Sequence, residues 1–258
     1  MTRRREGGCG LTWAAGSAAW LAMVAYPLAR QGGTARRVLA PVVVGALAVT
    51  TTSALRPWGR RRAAIAAGVV TVATAAVERI GTATGVPFGK YGYTDRLQPS
   101  IAGVPVAVPL AWWATAAPAR DAAHAALGRR STPARRVALG AVALTAWDLF
   151  LDPQMVAEDF WRWRRVGRYR GIPLTNFAGW LVTSAAVMAF LEWALPPQER
   201  AEPALVVEYA GMAAMETVGF AAFFRDPLVA AVGGAAMLPI AATAVARVIA
   251  DDRRAGDG

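Results

Sequence analysis

The chain has 258 residues, 55% of them hydrophobic and 17% charged, with a mean hydropathy of +0.34. Soluble globular chains carry about a quarter charged residues, so this composition excludes an ordinary soluble domain and points to a helical membrane protein. The net charge of +11, from 28 basic and 17 acidic residues, suits flanks that face anionic headgroups. It is not matched by a basic stripe with interleaved aromatics on a soluble module, so nucleic acid is not an expected partner.

Cys9 and His124 are the one cysteine and the one histidine. No disulfide can form within the chain, and a structural zinc site, which needs about four such ligands, is excluded. Only a carboxylate-held metal remains open, and no metal is expected.

A bilayer core about 30 Å thick is crossed by roughly 20 apolar residues in a helix. Eight segments approach that pattern. The first, Leu11–Ala29, follows Arg3, Arg4 and Arg5 and holds Pro27; further apolar blocks follow it, so it reads as a membrane helix rather than a cleaved leader. The second is Val38–Leu55, stopped by Arg56-Pro57. The third, Ala63–Ile80, carries Glu78 near its end and leads into a polar, Gly-rich loop, Gly81–Gly103. The fourth starts at Val104 and runs to Ala119 or Leu127. The fifth, Val137–Leu151, contains Asp148, and Pro153 is expected to end it just after Asp152. An aromatic, basic stretch Pro153–Pro173 follows; its Phe160-Trp161-Arg162-Trp163-Arg164-Arg165 suits a segment lying in the membrane interface. The sixth is Thr175–Leu195, the seventh Ala204–Phe224 with Glu208 and Glu216, and the eighth Leu228–Ile249. The fourth and fifth are short, so the expectation is an all-α, polytopic membrane helical bundle of seven to eight transmembrane helices. It forms one membrane domain over 1–258, with a charged tail at 250–258. Arginine in alternate loops, Arg60–Arg62 and Arg129–Arg136 against Arg36, Arg37 and Arg162–Arg170, favours a cytoplasmic N-terminus in the cell membrane.

An ionisable group inside the apolar region costs roughly 2.5–3.5 kcal/mol on insertion scales and usually has a purpose. The candidates are Glu78, Asp148, Asp152, Glu208 and Glu216. Asp148 and Asp152 are four apart and share one helical face. Glu216 is expected to face the interior with Met212 and Phe220. The competing reading is a carboxylate at the headgroup boundary paired with arginine, strongest for Glu78 and Asp152 near segment ends. Asp121 and His124, beside Arg120, read as interfacial.

Three motifs stand in order through residues 78–180. They are Glu78-Arg79-Ile80-Gly81 with Gly85-Val86-Pro87-Phe88-Gly89-Lys90-Tyr91-Gly92-Tyr93 and Gly103-Val104-Pro105; Ala146-Trp147-Asp148-Leu149-Phe150-Leu151-Asp152-Pro153-Gln154-Met155-Val156; and Gly171-Ile172-Pro173-Leu174-Thr175-Asn176-Phe177-Ala178-Gly179-Trp180. Together they resemble the carotenoid biosynthesis membrane-protein family that includes the carotenoid 1,2-hydratases of the bacterioruberin and cyanobacterial myxoxanthophyll type. Gln98 departs from the glycine expected after Asp95-Arg96-Leu97. The resemblance implies a hydro-lyase that adds water to the terminal C=C of an acyclic C40 or C50 carotenoid, without a cofactor. The implied partners are the carotenoid and the bilayer, with other enzymes of the pathway as possible companions.

The residues suit that chemistry. Hydration of a trisubstituted alkene needs a proton donor, a means of stabilising a tertiary cation, and a group to take the proton of water. Glu78, Asp148 and Asp152 supply carboxyls as catalytic candidates, and their convergence with Asn176 on one pocket is expected. Phe88, Tyr91, Tyr93, Trp112, Trp147, Asn176 and Trp180 are the substrate-binding candidates: aromatic faces stabilise a cation, and the polar members position water. Trp113 and Phe150 also offer aromatic faces. Each such aromatic is more often a lipid-interface anchor or a packing residue than a site residue. Two rivals stay open. An intramembrane prenyltransferase would use Asp148-x-x-x-Asp152 to bind diphosphate through magnesium, although no second Asp-rich motif exists. A transporter would use the carboxylates as a relay. A retinal-type receptor is set aside, because the one lysine, Lys90, lies in the Gly-rich loop.

Overall fold

A computed structural model describes residues 3–256; the side chains of residues 1–9 and 11, among them Cys9 and Arg3–Arg5, lie outside the described residues. Eight α-helices are described, one for each apolar segment: α1 (Arg3–Leu28), α2 (Thr34–Ala54), α3 (Arg60–Thr84), α4 (Ala107–Leu127), α5 (Pro133–Ala157), α6 (Leu174–Ala194), α7 (Pro203–Val218) and α8 (Pro227–Gly256). A π-helical turn, Gly219–Phe223, extends α7. By length and composition, α2, α3, α6, α7 with its π turn, and α8 are able to cross a membrane. Large apolar side chains on them face outward, Val72 at 70% and Val182 at 67% exposure, as lipid-facing helices require. The chain is a multi-pass membrane protein of the all-α class.

Two features depart from the sequence reading. Pro153 does not end α5, which continues to Ala157 with the proline inside it. Proline is tolerated in membrane helices because neighbouring groups satisfy the carbonyl it frees. The aromatic, basic stretch expected in the membrane interface contributes a strand that its composition does not announce, β4 (Trp161–Trp163), to an antiparallel ribbon with β1 (Tyr91–Tyr93). A second small ribbon pairs β2 (Ser100–Ile101) with β3 (Val104–Pro105).

The helices group into two compact units. The first comprises Met1–Thr115 and Phe150–Trp180, and the second Ala116–Leu149 and Leu181–Gly258. In the first, Arg36 of α2 donates to the carbonyls of Tyr26, Pro27 and Ala29, capping the end of α1, and pairs with buried Glu158. Glu158 also accepts from the Gly32 amide at 2.9 Å, fastening the α1–α2 hairpin to the end of α5.

The second unit holds Asp121 and His124, the two residues expected at the membrane interface. Arg120 and Asp121 are buried, at 2% and 1% exposure, while His124 is half-buried. The charges are tolerated because they are paired and hydrogen-bonded. Arg120 donates to Asp121 at 2.9 Å and to the Leu195 carbonyl, and Asp121 accepts from the Glu202 amide at 2.9 Å. The pair thereby fastens the end of α6 and the approach to α7. Removing one member leaves a buried charge uncompensated, so Arg120→Met should cost about 3–5 kcal/mol. The check is a thermal melt of the detergent-solubilised variant, which should unfold well below the wild type. On α7, Met212 and Phe220 are buried as expected and Glu208 with them, but Glu216 between them is half-buried.

Candidate active site

The inward face of α3 is a stripe of Ala63, Ala66, Val70, Thr74, Glu78 and Gly81, the three-and-four spacing of one helical side. Its small residues admit close neighbours, and its one charge is therefore carried inward: Glu78 is 4% exposed. The helix ends at Gly85, left-handed at φ 87°, whose amide bonds the Gly81 carbonyl. The loop then folds back. A Cβ on Gly81 would stand 3.0 Å from the Phe88 ring and 3.2 Å from the Tyr91 hydroxyl, so glycine is what lets both rings close over the helix end.

Three neutral donors converge on Glu78. The Tyr91 and Tyr93 hydroxyls both donate to Oε2, the latter at 2.6 Å, and the Trp112 indole donates to Oε1 at 3.0 Å. Burial first, and then the charge of Glu78, pushes both phenols above their ordinary range, so they stand as protonated donors. Trp112 stacks on Trp180, centroids 3.9 Å apart and planes within 13°, and Phe88 lies 6.4 Å from Trp112. These rings are buried rather than exposed to lipid.

Asp152, 3% exposed, is held the same way. Trp161 donates to Oδ1 at 2.9 Å, and the Asn176 amide donates to Oδ2. Neither Glu78 nor Asp152 pairs with arginine among the described residues, so the headgroup-boundary reading does not fit them. The β1–β4 ribbon links the two carboxylates. Its register sets Tyr91 against Trp163 and Tyr93 against Trp161, and alternate residues of a strand share a face. One face thus carries the two phenols that bind Glu78 and the indole that binds Asp152. Tyr93 and Trp161 meet edge to face at 5.7 Å, and Tyr91 feels the charge of both carboxylates.

The third motif closes this side through one helical face. Thr175 donates to the Phe88 carbonyl at 3.3 Å, Asn176 to Asp152, and Trp180 stacks on Trp112. Gly179, between them, lies under the loop: a Cβ there would come within 2.7 Å of the Pro87 carbonyl oxygen and 2.9 Å of the Phe88 ring. Overpacking of this kind costs roughly 1–3 kcal/mol. Gly179→Ala should therefore lower the melting temperature, measured on the detergent-solubilised variant beside the wild type.

Of the sequence candidates, Glu78, Phe88, Tyr91, Tyr93, Trp112, Asp152, Asn176 and Trp180 lie in the first unit. Asp148 and Trp147 belong to the second, both buried, Asp148 one helical turn before Asp152 on α5. Phe150 is buried in the first unit, whereas Trp113 donates to Thr52 at 2.9 Å and packs α4 against α2. Trp161, which donates to Asp152, is not among the residues the sequence reading singles out for the site. Its signal was present in the alternation Trp161-Arg162-Trp163, the same period of two as Tyr91-Gly92-Tyr93. No group of three or more His, Cys, Asp or Glu side chains is placed to hold a metal ion among the described residues.

A family model for carotenoid biosynthesis proteins matches residues 21–249. Bisanhydrobacterioruberin hydratase of Haloarcula japonica is 34% identical over 138 residues, which make up 52% of this chain and 46% of that protein. The match thus spans about half the length of that relative. No solved structure matches the chain. With the family model covering nearly the whole chain and the three motifs assembled as described, the chain belongs to the carotenoid biosynthesis protein family.

Proposed function

We propose that this protein is a hydratase that adds water to the terminal C=C of an acyclic carotenoid. The observation that carries the reading is a pair of buried carboxyl groups, Glu78 and Asp152, tied to one aromatic ribbon beside a stacked pair of tryptophans. The similarity to a protein named as a bisanhydrobacterioruberin hydratase supports it.

In the proposed reaction one carboxyl group, as the acid, gives its proton to C2, and the alkene π pair forms the new C–H bond. The tertiary cation left at C1 is stabilised by the electron-rich faces of Trp112, Trp180 and Phe88, a contribution of order 1–2 kcal/mol where water is excluded. Water attacks C1 through an oxygen lone pair, and its proton passes to the carboxylate partner. Proton exchange between the two carboxyl groups restores the starting state, so the net change is one water added with no change of oxidation state. Two carboxyls in different settings, one acid and one base, are a recurrent solution to such chemistry.

Expression in a bacterium that makes lycopene tests the function: pigments gaining the mass of one or two waters support it, and an unchanged pigment profile contradicts it. Asp148 is the third carboxyl of the proposal. Asp148→Asn is expected to lower hydration at least about tenfold, and ranking it against the amide variants of Glu78 and Asp152 at equal membrane levels identifies the acid. On the arginine bias of its loops, the N-terminus lies on the cytoplasmic side. A reporter fused there and active only inside the cell is the expected result.

A further inference from the structure

The aromatic face of the β1–β4 ribbon carries four polar hydrogens, and three are committed: two phenols to Glu78 and the Trp161 indole to Asp152. The fourth belongs to Trp163. Its register partner is Tyr91, whose ring lies 5.0 Å away. The Trp163 ring is part-exposed, but its Nε1 is closed to solvent and has no hydrogen-bond partner among the described residues. An indole N–H donates and cannot accept. A buried donor left unmade is costly, and native proteins rarely keep one without a use.

We infer that the Trp163 indole N–H is the donor that recognises oxygen at the carotenoid end: the lone pair of the water to be added, and afterwards the tertiary hydroxyl it becomes. The inference rests on the hydratase reading. The hydrocarbon end of the substrate has no acceptor, so the only oxygen such a reaction brings to the ribbon is that of water or of the new alcohol. The position suits the task, because Trp163 sits on the same ribbon face as the groups that hold both carboxylates. Water has two lone pairs. One accepts from the indole, the other attacks carbon, and its proton leaves toward a carboxylate. Trp163 is a specificity residue for the oxygen; it neither gives nor takes a proton.

The test compares two ligands on purified full-length protein in detergent: an acyclic carotenoid with unhydrated ends, and the same chain with tertiary hydroxyl ends. Binding is read by quenching of tryptophan fluorescence. Wild type should bind the alcohol more tightly, by roughly 2- to 10-fold for one neutral hydrogen bond. Trp163→Phe keeps an aromatic ring against Tyr91 and should lose that preference while binding the hydrocarbon as before. A preference that survives in Trp163→Phe, or its absence in wild type, overturns the assignment. Should the variant not fold, the wild-type nitrogen-15 indole spectrum decides. One indole N–H resonance should move downfield with the alcohol and not with the hydrocarbon, and a spectrum unchanged by the alcohol refutes the inference. A hydration assay on wild type runs in parallel. Hydration with an unchanged preference in Trp163→Phe sinks the Trp163 role alone, and no hydration with the preference lost sinks the hydratase reading alone.

Discussion

Glu78→Gln is expected to lower hydration by more than about 100-fold, the lower end of what general acid–base catalysis supplies, while the protein still folds in the membrane. The amide keeps the size of the acid but neither donates a proton as an acid nor takes one as a carboxylate. The hydrogen-bond pattern tolerates it. A glutamine carbonyl can accept from Trp112 where Oε1 now does, and its NH₂ can donate to the phenol oxygens of Tyr91 and Tyr93, whose hydroxyls rotate. Loss of activity is then separable from loss of fold. The readout is hydrated product per unit of folded membrane protein, with fluorescence-detected size exclusion as the measure of folding. Near wild-type product from this variant contradicts a chemical role for Glu78.

Asp152→Asn is expected to have an effect of the same size, for a related reason. The Trp161 indole is a donor only, so it fixes the asparagine carbonyl at the place of Oδ1; the new NH₂ then points to Asn176, whose amide can turn to present its oxygen. The fold has a way to accommodate the change, and the proton chemistry has none. A sharper result comes from the double variant Glu78→Gln, Asp152→Asn. If the two groups act as one acid–base unit, the double loss should be close to either single loss rather than their product. Multiplicative losses mean that the carboxyls act independently.

The helices were legible in the sequence because each is built around an apolar run, and five of the eight are long and apolar enough to cross a membrane. All eight segments correspond to helices, and the ends missed by one to two turns are where charged or polar residues continue the helix beyond the apolar run, as at Arg60–Arg62 on α3 and Asp251–Arg254 on α8. Pro153 misled because a proline inside a helix is penalised in water and far less when packed helices satisfy the freed carbonyl. The burial of Arg120 and Asp121 was not legible, because the groups that satisfy them, the Leu195 carbonyl and the Glu202 amide, are distant in sequence.

The site was legible as residue types and not as an arrangement. Glu78, Asp152 and Asn176 stood out as polar groups in apolar or patterned surroundings, and the structure gathers them in one unit with five of the six aromatic substrate-binding candidates. The ribbon that joins them was hidden, because strands of three residues carry almost no periodic signal and pair residues some seventy positions apart, Tyr91 with Trp163 and Tyr93 with Trp161. Trp161 and Trp163 therefore looked like membrane-interface residues, although composition suits either role. Asp148 and Trp147, alike in motif to their neighbours, fall in the other unit, a division that no spacing along a single helix reveals.

In the proposed reaction this chain itself adds water across a carotenoid alkene. The direct measurement is incubation of the purified protein with an acyclic carotenoid in oxygen-18 water, without added metal or nucleotide, followed by mass spectrometry of the pigment. The expected product is heavier by one labelled water per reacted end, formed by wild type and not by Glu78→Gln. An unlabelled or unchanged pigment, or turnover only when magnesium and a prenyl diphosphate are supplied, contradicts it.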